Sequence, residues 1–109
     1  MLADKRCTAC DANTPPLGKE EVSRLKKEID DRWKLVDNHH LLRGFIFPDF
    51  KGALEFTNKV GNIAEKENHH PIICLTYGKA TVTLYTHKTQ GLHTNDFILA
   101  SKIDMIASV

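Results

Sequence analysis

One continuous segment carries most of the architectural information: PDFKGALEFTNKVGNIAEKENHHPIICLTYGKATVTLYTH, residues 48–87. In its first half the apolar residues recur with a helical period and cover about half of a helical wheel. Pro48-Asp49 is a helix-start signal, and Pro71 blocks further helix because proline disfavours helical backbone in the residue before it. We therefore expect an amphipathic helix over about 49–67, packed against a flat surface such as one face of a sheet.

The second half of the segment has the composition of two β-strands. Ile72–Tyr77 and Ala80–His87 are rich in β-branched and aromatic residues, and Gly78-Lys79 lies between them. A two-residue loop of this kind predicts a β-hairpin. In that register Leu75 pairs with Val82, and the apolar side chains share one face that suits the packing of helices.

The residues on the N-terminal side of this segment predict a helix followed by another hairpin. Val22, Leu25 and Ile29 lie on one face of a helix over 19–31, and acidic residues favour its start. Short apolar runs at 33–37 and 41–47 flank Asn38-His39-His40, which we expect in or beside a turn.

A last helix is expected over about 95–107, capped by Thr94 or Asn95. It is apolar on several sides, so we expect burial on more than one face, in part by a partner subunit. The element order is α-β-β-α-β-β-α. This order predicts a two-layer α+β fold, a four-stranded antiparallel sheet with three helices on one face. Residues 1–18 are expected to form an irregular arm, and 19–109 a single domain.

Composition excludes several classes of function. The chain of 109 residues has 15 Lys and Arg against 14 Asp and Glu, so it lacks the basic stripe that nucleic-acid binding requires. Its apolar runs are too short to cross a membrane, and its start lacks the apolar core of a signal peptide. Three cysteines, an odd number, favour a reducing cytoplasm over a disulfide framework.

The cysteines themselves give weak signals. Cys7 and Cys10 form one C-x2-C pair, and a single pair is poor support for a zinc site. We expect truncation of the arm that carries them to leave most activity. Cys74 lies in an apolar run and is expected in the core.

Histidine is the unusual residue type, with six in the chain, four of them in the doublets 39–40 and 69–70. Histidine titrates near neutral pH, so a cluster suggests proton transfer or metal binding. In the expected hairpin register His70 opposes His87, whereas a slip of one residue would bring His69 there. Glu65 and Asp96 would lie at the same rim. A metal site is the less favoured alternative, because the spacing of these histidines suits one ion poorly.

The pattern Glu65-x3-His69-His70-Pro71-x5-Tyr77-x9-His87-x8-Asp96 resembles the signature of the pterin-4a-carbinolamine dehydratases. The resemblance covers almost the whole chain and is densest over Trp33–Asp104, including the segments 50–61 and 91–104. Cys7-x2-Cys10 also recurs in some bacterial members. Members commonly differ at three positions, with an acid for Asn68, an aromatic residue for Ile73 and, in some, arginine for Asn95.

The resemblance implies a function as well as a fold. It implies dehydration of 4a-hydroxytetrahydropterin to quinonoid dihydropterin during tetrahydropterin recycling after aromatic amino acid hydroxylation. It implies catalysis by His69, His70 and His87, supported by Glu65, Pro71, Tyr77 and Asp96. It implies no metal or organic cofactor, a homodimer or homotetramer, and functional coupling to a hydroxylase. The alternatives are a non-catalytic dimerisation or interaction module and a histidine-rich metal-binding protein.

Overall fold

A computed structural model describes residues 2–8 and 14–107. Within these residues the chain forms three α-helices and one four-stranded antiparallel sheet, which confirms the predicted α+β class. The strand order is β1-β2-β4-β3. The elements are α1 (Lys19–Lys26), β1 (Lys34–Val36), β2 (His40–Ile46), α2 (Phe50–Glu67), β3 (Ile72–Thr76), β4 (Lys79–Leu84) and α3 (Thr94–Ala107).

Helix α2 has the bounds that its sequence predicts. The Asp49 side chain caps it by accepting the Gly52 N–H at 2.8 Å. Its buried face consists of Ala53, Phe56, Val60 and Ala64. This face packs on the apolar side of the sheet, where the β4 residues Ala80, Val82 and Leu84 are fully buried.

The β3–β4 hairpin differs from the expected one by two residues. The loop is Tyr77-Gly78, with Gly78 at φ +73°, and Ile73 pairs with Val82. Glycine adopts this left-handed conformation without a steric cost, so it takes the second loop position. A shift of two keeps every side chain on its expected face. It removes the predicted pairing of His70 with His87, however, and β4 ends at Leu84.

The first hairpin turns one residue earlier than expected. Asp37 and Asn38 both have positive φ, and His39 donates its N–H to the Val36 carbonyl at 2.9 Å. Positive φ at two successive residues suits a tight hairpin turn, which Asn and Asp tolerate well. His39 is therefore in the turn, and His40 is the first residue of β2.

Helix α1 ends at Lys26, five residues before the expected end. The Asp30 carboxylate accepts the backbone N–H of Arg32 at 2.8 Å and binds its guanidinium group. Such local side-chain bonds compete with helical hydrogen bonds, which accounts for the early end. Ile29 is still buried in the turn that follows the helix.

Helix α3 is the central helix of the apolar layer. Phe97, Ile98, Leu99 and Ile103 are all buried within this chain, so these four residues need no partner subunit to cover them, whereas Met105 on the same helix is 55% exposed. A 3-10 turn at Leu2–Asp4 covers part of α3, and Leu2 is in the core. The remaining arm residues that the structure describes form no regular element.

The structure contradicts the prediction for Cys74 and does not describe Cys10. Cys74 is exposed on the outer face of β3, so its expected place in the core is wrong, because alternate strand residues face opposite sides. Cys10, and with it the C-x2-C pair, lies outside the described residues. No helix in the described part of the chain is long and apolar enough to span a membrane.

Candidate active site

The end of α2 aims two adjacent histidines in different directions. Asn68 closes the helix in the left-handed conformation at φ 52°, and His69 donates its N–H back to the Ala64 carbonyl at 3.2 Å. Pro71 then favours extended backbone at His70. Since neighbouring residues of an extended chain point to opposite sides, His69 turns inward and His70 outward.

The inward histidine binds a fully buried carboxylate on the first turn of α3. Asp96 Oδ1 lies 2.6 Å from Nε2 of His69, while Asp96 Oδ2 accepts the Thr86 hydroxyl and the His93 backbone N–H, each at 2.9 Å. Oδ2 already accepts two hydrogen bonds, so the carboxylate acts as a hydrogen-bond acceptor. Nε2 of His69 therefore donates to Asp96, which leaves Nδ1 as the nitrogen that can exchange a proton with a ligand.

The helix that carries Asp96 is capped by a histidine. His93 Nδ1 accepts the Asn95 N–H at 3.1 Å, and the His93 N–H is donated to Asp96 three residues later. This reciprocal arrangement is that of a capping box, so the prediction that Thr94 or Asn95 caps the helix is wrong. Burial lowers the pKa of His93, and His69 adds to this effect while Asp96 opposes it.

The outward histidine binds a different carboxylate. His70 Nε2 lies 2.5 Å from Oε2 of Glu65, which is in the last turn of α2. Both side chains are mostly exposed, at 56% for His70 and 78% for Glu65, whereas the His69 side chain is 11% exposed. The doublet thus provides one buried and one solvent-exposed histidine–carboxylate pair.

The third predicted histidine follows β4 in a short loop. Thr86 and Gly91 form an isolated β-bridge that closes this loop, and His87 is its first residue. The His87 ring packs on Tyr85, with centroids 4.5 Å apart, and the His39 ring lies 5.0 Å from the same tyrosine. The turn histidine His39 is therefore connected to the site through Tyr85.

These groups converge on a pocket of about 250 Å³. It lies where the end of α2, the end of β4 and the start of α3 meet. Its lining includes His69, His70, His87, Tyr85, Thr8 and Asn95. The structure thus brings all three predicted histidines to one cavity, even though the strand pairing that suggested this is not formed.

The predicted supporting residues divide into three groups. Glu65 and Asp96 bind histidines of the pocket directly. Pro71 sets the backbone between the histidines and β3. Tyr77 is 75% exposed in the β3–β4 loop, about 17 Å along the strand from Ile72, and does not line the pocket.

Sequence reasoning missed several residues of the site. Thr86 and Tyr85 could have been found, because a hydroxyl and an aromatic ring directly precede a candidate catalytic histidine. Thr8 carried no such signal, because its place in the site depends on how the arm folds back to Asn95, 87 residues further along the chain. Contacts of that separation are not encoded in local pattern.

The metal alternative gains no support from the geometry. In residues 2–8 and 14–107, no three His, Cys, Asp or Glu side chains are grouped so that they could hold a metal ion. Burial and then the neighbouring Glu67 raise the pKa of Cys7 to about 12. Metals bind the thiolate form, so Cys7 is a poor ligand at neutral pH.

Comparison with known proteins identifies the family of this chain. Residues 15–106 match the family of pterin 4 alpha carbinolamine dehydratases. The chain belongs to this family. A candidate pterin-4-alpha-carbinolamine dehydratase of Alkaliphilus metalliredigens is 47% identical over 103 residues, covering 94% of this chain and 93% of the relative. One from Rubrobacter xylanophilus is also 47% identical, over 105 residues, covering 96% and 97%.

A solved structure of the family has the same architecture. The crystal structure named as a transcriptional coactivator/pterin dehydratase from Brucella melitensis superposes with a TM-score of 0.78 at 33% identity. The match covers 84% of this chain and 98% of that one. The resemblance noted in the sequence is thus confirmed for this dehydratase family, and the cluster of histidines is its candidate active site.

Proposed function

We propose that this protein dehydrates 4a-hydroxytetrahydropterin to quinonoid dihydropterin, as part of tetrahydropterin recycling after aromatic amino acid hydroxylation. One observation carries the proposal: three histidines line a single small pocket, and two of them bind carboxylates. Family membership supplies the substrate class. The site supplies imidazole groups that can donate and accept protons, which is what this reaction requires.

The reaction needs one proton donated and one removed. The C4a–O bond breaks with its electron pair going to oxygen, which takes a proton from an acid and leaves as water. The N5–H bond loses its proton to a base, and its electron pair forms the C4a=N5 double bond. No electrons enter or leave, so the reaction needs no redox cofactor, and proton transfer by side chains is sufficient for it; we therefore propose catalysis without a metal or organic cofactor.

We assign the acid and the base to His69 and His87. Asp96 fixes the His69 ring and stabilises it when it carries a second proton, which suits a group that cycles between two protonation states. His87, held against Tyr85, faces the same pocket. His70, bound to the exposed Glu65, orients the substrate or acts as an auxiliary base.

An assay with the carbinolamine itself tests the proposal. An aromatic amino acid hydroxylase generates the substrate, and the purified protein should accelerate its decay above the spontaneous rate. His87→Ala should lower that acceleration at least tenfold, the lower range for an acid–base group. Its thermal stability should change by less than about 0.5 kcal/mol, because His87 is exposed.

The controls for this assay are a remote variant and a chelator. Glu28→Ala, on the exposed turn after α1, should match the wild type; His39 is unsuitable because it touches Tyr85. Exhaustive chelation should leave the rate unchanged. A normal rate for His87→Ala, an unfolded His87→Ala, or loss of activity on removal of stoichiometric zinc would each refute the proposed site.

We further propose that the protein acts in the cytoplasm as a homodimer or homotetramer. Since most of the apolar surface of α3 is covered within the chain, the support comes from apolar side chains that remain exposed: Ile46, Phe50, Leu54, Ile72 and Met105 are each at least 39% exposed. The edge strands β1 and β3 also leave unpaired backbone groups. Light scattering should give at least twice the chain mass of 12.3 kDa, and a 12.3 kDa species at micromolar concentration would contradict this.

A further inference from the structure

The N-terminal arm is docked along the helices that carry the active site. Leu2 is buried in the core, and the Lys102 ammonium group of α3 donates to the Ala3 carbonyl at 2.8 Å. Glu67 accepts the Cys7 N–H at 2.8 Å and pairs with Arg6 at 3.0 Å. These contacts fix residues 2–7 along α3 and against the end of α2.

The charge at the centre of this docking is well stabilised. The Glu67 side chain is 6% exposed. Its burial opposes ionisation, but the Cys7 N–H, Arg6 and Lys102 outweigh that cost and lower the pKa of Glu67. The carboxylate therefore remains ionised at neutral pH, and the arm keeps this anchor under the conditions in which the protein works.

The arm reaches the pocket at Thr8, where one side chain holds its backbone from both sides. Asn95 Oδ1 accepts the Thr8 N–H at 2.9 Å, and Asn95 Nδ2 donates to the Thr8 carbonyl at 2.6 Å. Asn95 is 2% exposed, so its amide group binds the arm and is not available to solvent. Thr8 itself is exposed, and it lines the pocket together with His69, His70 and His87.

We infer that Thr8 is a substrate-contacting residue and that Asn95 is its positioning residue, so that the arm forms one wall of the active site. This inference rests on the proposed dehydratase function. A pocket of about 250 Å³ is below the usual range of about 300–1,000 Å³ for small-molecule sites, so a ligand held there meets every wall. The wall at Thr8 helps to hold the pterin and restricts which pterins fit.

This inference changes what we expect from truncation of the arm. Removing residues 1–8 deletes Leu2 from the core as well as the pocket wall at Thr8. Truncation should therefore lower both stability and substrate binding, and point variants separate these two effects better.

Steady-state kinetics on Thr8 variants test the inference. Thr8→Leu should raise KM about three- to tenfold, the equivalent of one lost contact, and leave kcat within about twofold. Asn95→Ala should also raise KM, because it removes both hydrogen bonds that hold the Thr8 backbone and leaves the side chains of the three histidines unchanged. Thr8→Ser should stay near the wild type. Lys5→Leu is the matched control, because Lys5 is exposed on the same arm and does not line the pocket.

The possible outcomes separate the inference from the proposed function. An active Thr8→Leu with unchanged KM, or a Lys5→Leu that raises KM equally, would overturn the inference alone. A wild-type protein that neither accelerates dehydration nor binds a dihydropterin in calorimetry would overturn the proposed function and the inference with it. Should Asn95→Ala fail to fold, Thr8→Leu still decides, because Thr8 is exposed.

Discussion

Near one end of α3 Asp96 accepts hydrogen bonds from an imidazole, a hydroxyl and a backbone N–H; near the other end Asp104 accepts from an indole, a guanidinium group and a backbone N–H. The donors to Asp104 are Trp33 Nε1 at 2.7 Å, Arg43 Nη1 at 2.7 Å and the Asp30 N–H at 2.9 Å. The two carboxylates are about 12 Å apart along the helix.

The difference between the two clusters lies in what their partners can do with a proton. An indole and a guanidinium group keep their protons throughout the physiological pH range, whereas an imidazole gains and loses one near neutrality. Arg43 is also 5% exposed and stacks over the Phe45 ring at 4.4 Å, which is typical of a structural cation. Asp104 therefore stabilises the fold, whereas Asp96 orients the His69 ring for proton transfer.

Cavity size does not distinguish the two ends. A cleft of about 560 Å³ lies beside Arg43 and Phe45, larger than the pocket of about 250 Å³ at the histidines. The lining of the larger cleft includes aromatic rings and permanent charges. What marks the smaller pocket is the convergence of titratable groups with fixed partners.

The largest expected effect is on stability, from Asp104→Asn. This change removes the charge opposite a buried guanidinium group, and Asp30 Oδ2, at 3.7 Å from Arg43 Nη1, compensates in part. Breaking such a pair costs about 3 kcal/mol, the lower end for buried ion pairs. Chemical denaturation measures the loss, and turnover per folded molecule should remain within about twofold of the wild type. Wild-type stability in this variant would contradict the structural role of Asp104.

The next effect is on turnover, from Asp96→Asn. Thr86 and His93 both donate to Oδ2, which the amide oxygen can replace, so stability should fall by only about 1 kcal/mol. At the Oδ1 position the amide NH2 donates to Nε2 of His69 and forces the other tautomer. Catalysis above the spontaneous rate should then fall at least tenfold. If Asp96→Asn instead behaves like Asp104→Asn, losing stability but keeping turnover, the contrast between the two ends is wrong.

The same contrast shows what could be predicted from sequence. Helix α2 and the antiparallel hairpins followed from local periodicity and turn residues. The clustering of Glu65, Asp96 and the histidines was suggested by a strand pairing that does not form, and by the family pattern. The register of β3 was off by two because both Tyr77-Gly78 and Gly78-Lys79 can form a two-residue loop. In the folded chain Gly78 is the second loop residue, and a Cβ there would lie 3.1 Å from the Phe47 carbonyl, a contact between distant residues that local pattern does not specify.

Other features depend on contacts that sequence does not reveal. The Asp104 cluster joins residues 61 to 74 positions apart, and the Thr8–Asn95 pair spans 87. No local pattern specifies such pairs. The burial of α3 within the chain likewise required knowing that the arm folds back over it, which is why its apolar surface suggested a partner subunit instead.

The smallest expected effect concerns the pH dependence of stability, through His93. The pKa of His93 is lowered in the folded state, chiefly by burial, so the unfolded chain binds more protons below the ordinary value of 6.5. Its contribution to stability is therefore fully present above that value and is lost as pH falls through the lowered pKa. Protonation of Nδ1 also removes the acceptor for the Asn95 N–H, and an N-cap is worth about 1 kcal/mol.

His93→Asn isolates this contribution. Asparagine is a favourable N-cap that does not titrate, and its backbone N–H can still reach Asp96. Between pH 7 and about pH 5 the free energy of unfolding of the wild type should fall by up to about 1 kcal/mol more than that of the variant. Acidic groups with lowered pKa values, such as Glu67, titrate below this window and cancel in the difference. Parallel curves would show that His93 does not cap α3 as a neutral ring.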